Sequence, residues 1–332
     1  MSIVASRTHA ADRLTSTVLP HIEASIDRDA TERMRPEKLS ELLVEPGTKA
    51  MLLSQRQALL TADDDGGLLL LDVGTVLEHI PEQDKLQFVY LGRTVSSESA
   101  PVGTAVVLVV LPEPLEPGTA GISTTAVWHS FRECAAWLNA TDTALFIEAS
   151  AISNWHSSHP YCPRCGAATN VEQSGWVRRC PRDDSEHYPR TDPAIIVTIV
   201  GPDDRVLLGG GGAQHSKMHS TFAGFVEPGE SLEQAVAREM AEEVSVDITD
   251  VQYLGSQPWP FPASLMLGFT ASTTTVDPKP DGVEVTRARW FTRAELQEAV
   301  LSGEIVIPSR ISISRALIEH WYGGKIEEPQ PA

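Results

Sequence analysis

The stretch Gly224–Val246, GFVEPGESLEQAVAREMAEEVSV, decides how the rest of the chain is read. A turn-rich segment (Glu227, Pro228, Gly229, Glu230) runs into a strongly helical pattern that opens at about Glu230. At 100° per residue, Val236, Met240 and Val244 fall on one apolar stripe. Glu239, Glu242 and Glu243 share an arc roughly 100° round from that stripe, so they are expected to line an edge of the buried face rather than to point into bulk water. Carboxylates at i, i+3 and i+4 repel, at roughly 0.2–0.5 kcal/mol per i,i+4 like-charge pair on an isolated helix. Something must offset that. A hard divalent cation such as Mg²⁺, held by one or two carboxylates together with substrate phosphates, would do so; a solvated acidic face is the competing reading.

Around this stretch lies a chain of 332 residues, 42% hydrophobic and 21% charged, with net charge −19. The length and composition suit a soluble globular protein of two or three domains. The acidic balance and the lack of a basic tract argue against a large nucleic-acid interface that tracks the backbone, though a local metal site can still bind a phosphate or an RNA end. No apolar run reaches the length of a membrane span, and the polar N-terminus lacks an apolar signal core, so no membrane partner and a cytoplasmic location are expected. The four cysteines, Cys134, Cys162, Cys165 and Cys180, are too few and too clustered for a disulfide framework.

Taken in order, residues 1 to about 40 are polar, with disorder expected at the extreme N-terminus. Strand-like runs follow at Leu68–Leu71, at Gln87–Gly92 and at Ala105–Leu111, the last broken by Pro112. Helical patterns follow at Ser130–Arg132 and at about Thr141–Ser157. This half carries no catalytic motif of its own and reads as an α+β scaffold domain over residues 1–150. Residues 151–190 contain Cys162-x-x-Cys165, then fourteen residues, then Cys180-Pro181-Arg182-Asp183. That spacing puts four ligands at the corners of a tetrahedron, the geometry of structural zinc, with Asp183 at the fourth corner. His187 as the fourth ligand, or a ribbon that has lost its metal, are the alternatives. Cys134 stands apart and is expected to be a buried apolar residue. Residues 191–332 hold strand, turn and strand (Ala194–Val200, Gly201–Asp204, Arg205–Leu208), then Gly209–Gly212. The four glycines lack the Gly-Lys-Ser/Thr and helix start of a phosphate loop and read as a mobile surface loop. Beyond the helix, Ser256–Met266 reads SQPWPFPASLM; three prolines stiffen it while Trp259 and Phe261 present aromatic faces suited to stacking on a base or nicotinamide ring.

The spacing Gly224, five residues, Glu230, seven residues, then Arg238-Glu239-Met240-Ala241-Glu242-Glu243 resembles the Nudix box, in which Ser245 stands where the family has a glycine. An SQPWPFPxS loop after that box, a preceding ribbon, Tyr188-Pro189, Ile307-Pro308 and Ser312-Ile313-Ser314 together are similar to the NADH pyrophosphatase subfamily. The resemblance implies an α+β chain: an N-terminal α+β domain, a zinc ribbon and a Nudix α/β/α sandwich with a mixed sheet. It implies cleavage of NADH or NAD⁺ to nicotinamide mononucleotide and AMP, removal of NAD caps from RNA 5′ ends, Mg²⁺ or Mn²⁺ as cofactor beside structural Zn²⁺, and a homodimer. Carried over, Glu239, Glu242, Glu243, Glu284 and the Ala223 carbonyl are divalent-cation ligands. Glu239, Glu242 and Glu243 are the catalytic set, with Glu243 as base. Glu230 and Arg238 pair structurally. Tyr188, Phe225, Arg132, Gln257, Pro258, Trp259, Pro260, Phe261, Pro262, Ala263, Ser264 and Ser314 are expected to contact substrate. The competing functions are a Nudix hydrolase preferring ADP-ribose or another nucleoside diphosphate derivative, and a zinc-ribbon RNA-binding module with a vestigial Nudix fold.

Overall fold

The computed structural model describes residues 26–61, 66–80, 83–119, 122–211 and 217–329. The extreme N-terminus and Gly212 lie outside them. Among the described residues no helix is long and apolar enough to cross a membrane. The chain divides into two compact units, one of residues 26–191 together with Trp259–Ala263, the other of Asp192–Pro258 and residues 264–329.

In the first unit the elements are β1 (Ile26–Asp27), α1 (Lys38–Val44), β2 (Lys49–Ser54), β3 (Gln57–Leu60), β4 (Leu70–Asp72), α2 (Val73–His79), β5 (Gln87–Thr94), β6 (Ala105–Leu111), β7 (Val127–Ser130), α3 (Phe131–Cys134) and α4 (Ala140–Ser158). One mixed sheet runs β1-β5-β6-β2-β3-β7, with β4 on β2. The β-branched run of β6 is central: it pairs antiparallel with β5 and parallel with β2, and is buried along most of its length. Strand β5 does not stop at Gly92 but continues to Thr94 through a bulge. Gly92 has φ 131° there, and a Cβ on it would fall 2.2 Å from the Asp27 carbonyl oxygen, so glycine carries the strand past the bulge. Cys134 is fully buried and unpaired. A small three-stranded sheet of β8 (Asn170–Glu172), β9 (Val177–Arg179) and β10 (Glu186–His187) completes the unit.

The second unit comprises β11 (Asp192–Val200), β12 (Val206–Gly210), β13 (Phe222–Phe225), α5 (Leu232–Val244), β14 (Ile248–Trp259), β15 (Ser264–Thr273), β16 (Arg287–Phe291), α6 (Arg293–Leu301) and α7 (Ile313–Tyr322). Its sheet has the order β14-β15-β11-β12-β16, with β13 also on β11. Strand β11 is buried on both faces, as a strand between two helical layers must be. Ile195, Val197 and Ile199 pack against Val236, Met240 and Val244 of α5, while Ile196 packs with Ile313, Ala316 and Leu317 of α7. The mixed sheet therefore lies between α5 and the layer of α6 and α7, an α/β/α sandwich. Gly209 and Gly210 correct the loop reading: they lie within β12, paired with Ala288 and Arg287 of β16. A Cβ at Gly209 would meet the Phe222 ring at 2.5 Å, and one at Gly210 the Met218 carbonyl at 2.4 Å. Those glycines serve close packing.

Candidate active site and metal centre

Helix α5 starts two residues later than its periodicity suggests. Ser231 is the N-cap, its hydroxyl accepting from the Gln234 N–H at 3.2 Å while the Gln234 side chain accepts from the Ser231 N–H at 2.8 Å. Glu230 is thereby left in the loop. Its carboxylate accepts the Glu227 N–H at 2.9 Å and receives a two-pronged bond from Arg238, Nε to Oε1 at 2.6 Å and Nη2 to Oε2 at 3.0 Å. Arg238 also donates to Glu239 (2.9 Å), Glu242 (3.0 Å) and the Phe225 carbonyl (2.9 Å). One guanidinium thus meets three carboxylates and the carbonyl at the end of β13, and it answers part of the repulsion problem on the helix.

The three helix glutamates are not equivalent. The Glu242 side chain is 61% exposed and faces water, Glu239 is 12% exposed, and Glu243 is buried. Glu239 lies flat against β13: a Cβ on Gly224 would fall 1.9 Å from its carboxyl carbon, so only glycine leaves room. Glu243 has one carboxylate oxygen buried with no hydrogen-bond partner. Burial, and then the negative charges of Glu239, Glu284, Asp281 and Glu242, push its carboxyl up to about 8. Glu284 is exposed on the loop before β16, and Ala223 sits in β13 opposite Ile196. A carboxylate cluster with a buried, unpartnered oxygen and a glycine-cleared floor fits a hard divalent cation, which would supply the missing partner. Asp281 was not singled out from sequence, although Asp281-Gly282 is a turn signal.

The substrate-contact candidates separate. Trp259 and Phe261 join Phe131 and Arg132: Trp259 meets Phe131 edge-on at 6.2 Å and Phe261 at 5.2 Å. The Arg132 guanidinium lies 5.7 Å from the Trp259 ring and 5.8 Å from that of Phe261. Asn154 holds the loop by donating to the Pro260 carbonyl at 2.8 Å and the Pro262 carbonyl at 3.2 Å. Pro258 and Pro262 are exposed and Ala263 half-buried. Phe225 and Tyr188 are exposed aromatics, the Tyr188 hydroxyl donating to Glu186. Gln257 and Ser314 have other work. The Gln257 amide is buried, donating to the Ile311 carbonyl at 2.6 Å and accepting from the Ile313 N–H at 2.7 Å, so it clamps the start of α7. Ser314 is buried with its hydroxyl bonded to Ser220 and Thr221. Ser264 is buried at the start of β15, opposite Asp192.

In the ribbon, two knuckles repeat one hydrogen-bond pattern. Cys162 donates to the Ala167 carbonyl (2.8 Å) and accepts from the Gly166 N–H (2.9 Å); Cys180 donates to the Ser185 carbonyl (2.9 Å) and accepts from the Asp184 N–H (3.0 Å). Gly166 and Asp184 both have positive φ, 71° and 58°. Asp183 therefore occupies in the second knuckle the place of Cys165 in the first. The ligand atoms of Cys162, Cys165, Cys180 and Asp183 all lie within 4.8 Å of one another, a donor set that could hold zinc. His187 is outside that group: its Nε2 bonds the Ser185 hydroxyl at 3.1 Å, which in turn donates to Asp183 at 2.6 Å. The Ser185 hydroxyl, with Cys180 next, holds the Asp183 carboxyl well below the usual range, so it is an anion at neutral pH.

A glutamate-bearing helix on a mixed sheet, preceded by a Cys-rich ribbon, defines a class of protein, and comparison with known families agrees. Residues 190–308 match the model of the NUDIX domain, and residues 157–188 that of the NADH pyrophosphatase zinc ribbon domain. The chain belongs to the Nudix hydrolases, in the branch that carries this ribbon. More particularly, it is 34% identical over 309 residues to the NAD-capped RNA hydrolase NudC of Mycobacterium bovis, covering 89% of this chain and 93% of that one. The Mycobacterium tuberculosis protein of the same name matches with the same identity and coverage. The human NAD-capped RNA hydrolase NUDT12 is 38% identical over 197 residues, 55% of this chain and 42% of the human one.

Proposed function

We propose that this protein hydrolyses the pyrophosphate of NADH and NAD⁺ to (reduced) nicotinamide mononucleotide and AMP, and removes NAD caps from RNA 5′ ends. The observation that carries the chemistry is Glu243, a buried carboxylate with an unpartnered oxygen among Glu239, Glu242 and Glu284. The dinucleotide substrate is supported by the Trp259–Phe261 cluster and by the activity named for the relatives. When bound, Mg²⁺ or Mn²⁺ offsets charge on the phosphates and lowers the pKa of water. Glu239, Glu242, Glu243, Glu284 and the Ala223 carbonyl would hold it, with Arg238 bonded to Glu239 and Glu242. With a bound cation offsetting the neighbouring carboxylates that raise it, Glu243 would be ionised and take the proton of the attacking water as the water oxygen bonds to phosphorus; the bridging oxygen leaves with the electron pair of the broken P–O bond. Trp259 and Phe225 offer stacking faces. Zinc on the ribbon, a homodimer and a cytoplasmic location belong to the same reading, supported by the resemblance to the family.

Incubation with NADH and Mg²⁺ or Mn²⁺ should yield AMP and reduced nicotinamide mononucleotide, and NAD-capped RNA under matched conditions should yield a 5′-monophosphate end. Undiminished turnover in Glu239→Gln/Glu243→Gln would remove the site. Faster turnover of ADP-ribose than of NADH would move the substrate assignment, and no metal-dependent hydrolysis of any nucleotide would leave only a binding module.

A further inference from the structure

Glu284 stands forty-one residues beyond the nearest helix glutamate in sequence, on an exposed loop. Such a loop offers no rigidity by itself, and a metal ligand needs to be held within about half an ångström of its productive position. The loop is held by Asp281. Its Oδ1 accepts the Val283 N–H at 3.1 Å and the Val285 N–H at 2.9 Å, and its Oδ2 accepts the Glu284 N–H at 3.2 Å. The carboxylate thus organises the turn that carries Glu284, in the manner of an Asx turn extended by one residue.

The same turn is fastened to the last turn of α5. The Asp281 N–H donates to the Glu243 carbonyl at 2.9 Å and the Lys279 N–H to the Val244 carbonyl at 2.7 Å, taking up carbonyls that a helix end leaves without partners. On its other side the loop packs against Gly211, where a Cβ would fall 2.0 Å from the Glu284 carbonyl oxygen. Asp281 therefore bonds through its main chain to the residue carrying the buried carboxylate, and through its side chain to the backbone of the exposed one.

We infer that Asp281 is a positioning residue that sets Glu284 in register with Glu243, so that helix and loop carboxylates act as one cation site. This rests on the metal-dependent reading of that site, and concerns a residue outside the ligand set. Asn keeps one side-chain oxygen, which can accept the Val283 and Val285 N–H bonds, but sets an NH2 against the Glu284 N–H, whereas Ala removes all three bonds.

The test is Mn²⁺ binding to the purified protein without nucleotide, followed by the loss of the free-ion EPR signal, with amide exchange of Val283–Val285 measured in metal-free protein. Asp281→Ala should weaken Mn²⁺ binding about 10–100-fold, the range for residues that orient metal ligands, and speed exchange of those amides. Asp281→Asn, which keeps two of the three bonds, should weaken binding less than Asp281→Ala does. In a Glu284→Gln background the further effect of Asp281→Ala should vanish, because the residue it acts through is gone. Native affinity in Asp281→Ala overturns the inference. So does an undiminished Asp281→Ala effect in Glu284→Gln. Should the alanine protein not fold, Asp281→Ser, with one short acceptor, takes its place under the same criteria. Absence of Mn²⁺ binding in the native protein is a different result and fails the metal-dependent reading itself.

Discussion

Ser245 ends α5 in the left-handed conformation, φ 55° and ψ 45°, with its N–H bonded to Ala241 and the Val246 N–H to Met240. A residue with a Cβ is held there at a cost of roughly 1–2 kcal/mol that glycine does not bear. Ser245→Gly should therefore raise stability by roughly 1 kcal/mol in denaturant melts, with kcat unchanged. Two residues earlier, Glu243 links stability to pH. Its folded pKa, about 8, lies above the ordinary value of 4.5. A carboxyl raised on folding contributes stability that is complete below the unfolded pKa and is lost as pH rises through the folded one. Metal-free protein should thus lose stability between pH 4.5 and pH 8, Glu243→Gln should flatten that decline, and saturating Mn²⁺ should reverse it at pH 8. Thermal melts across that range with chelator and with Mn²⁺ check all three. The raised carboxyl is not visible in sequence, since it depends on burial and on Asp281 and Glu284 arriving from another loop.

At the level of elements, helix α5 was largely legible because periodicity is a local property. Val236, Met240 and Val244 are fully buried, each adding about 1.5–3 kcal/mol of burial free energy. What periodicity cannot carry is the hydrogen bonding between distant segments. Gln257 looks like a loop donor until Ile311 and the first residue of α7, more than fifty residues on, take the two ends of its amide. Gly209 and Gly210 look like a loop until β16 pairs with them. Arg238 was expected to pair with Glu230, while its bonds to Glu239 and Glu242 emerge only when the rotamers are set. The ribbon knuckles lie between these cases. Cysteine spacing marks three candidate ligands, and the repeated hydrogen bonds put Asp183 at the fourth position of a group that could hold zinc. Thiolate is the softer ligand, so Asp183→Cys should tighten zinc on the order of tenfold in chelator competition, while Asp183→Ala should weaken it. His187→Ala should leave zinc content unchanged, since Ser185 stands between His187 and Asp183.

Across the whole molecule, the five residues Trp259–Ala263 are catalytic-domain sequence that groups with the N-terminal unit. Strand β14 runs into them and β15 starts immediately after, so both arms of the loop are rooted in the catalytic sheet. Its aromatic tip is packed against Phe131 and Arg132 and tied by Asn154 of α4. The N-terminal unit, which carries no catalytic motif, thereby holds the orientation of the ring proposed above to stack on substrate. An aromatic ring that stacks on a base contributes about 1–3 kcal/mol. On the proposed reading its loss should show in binding rather than in the chemical step. If the ring stacks on the nicotinamide, Trp259→Ala should lower kcat/KM for NADH by roughly 5–150-fold, mostly through KM, while turnover of ADP-ribose, which lacks that base, falls far less. Arg132→Ala and Asn154→Ala loosen the same tip without removing the ring, so each should give a smaller loss in the same direction and with the same KM bias. If Trp259→Ala instead lowered kcat equally for both substrates, the loop would be acting on the carboxylate site. The assignment of the N-terminal unit to substrate recognition would then fall.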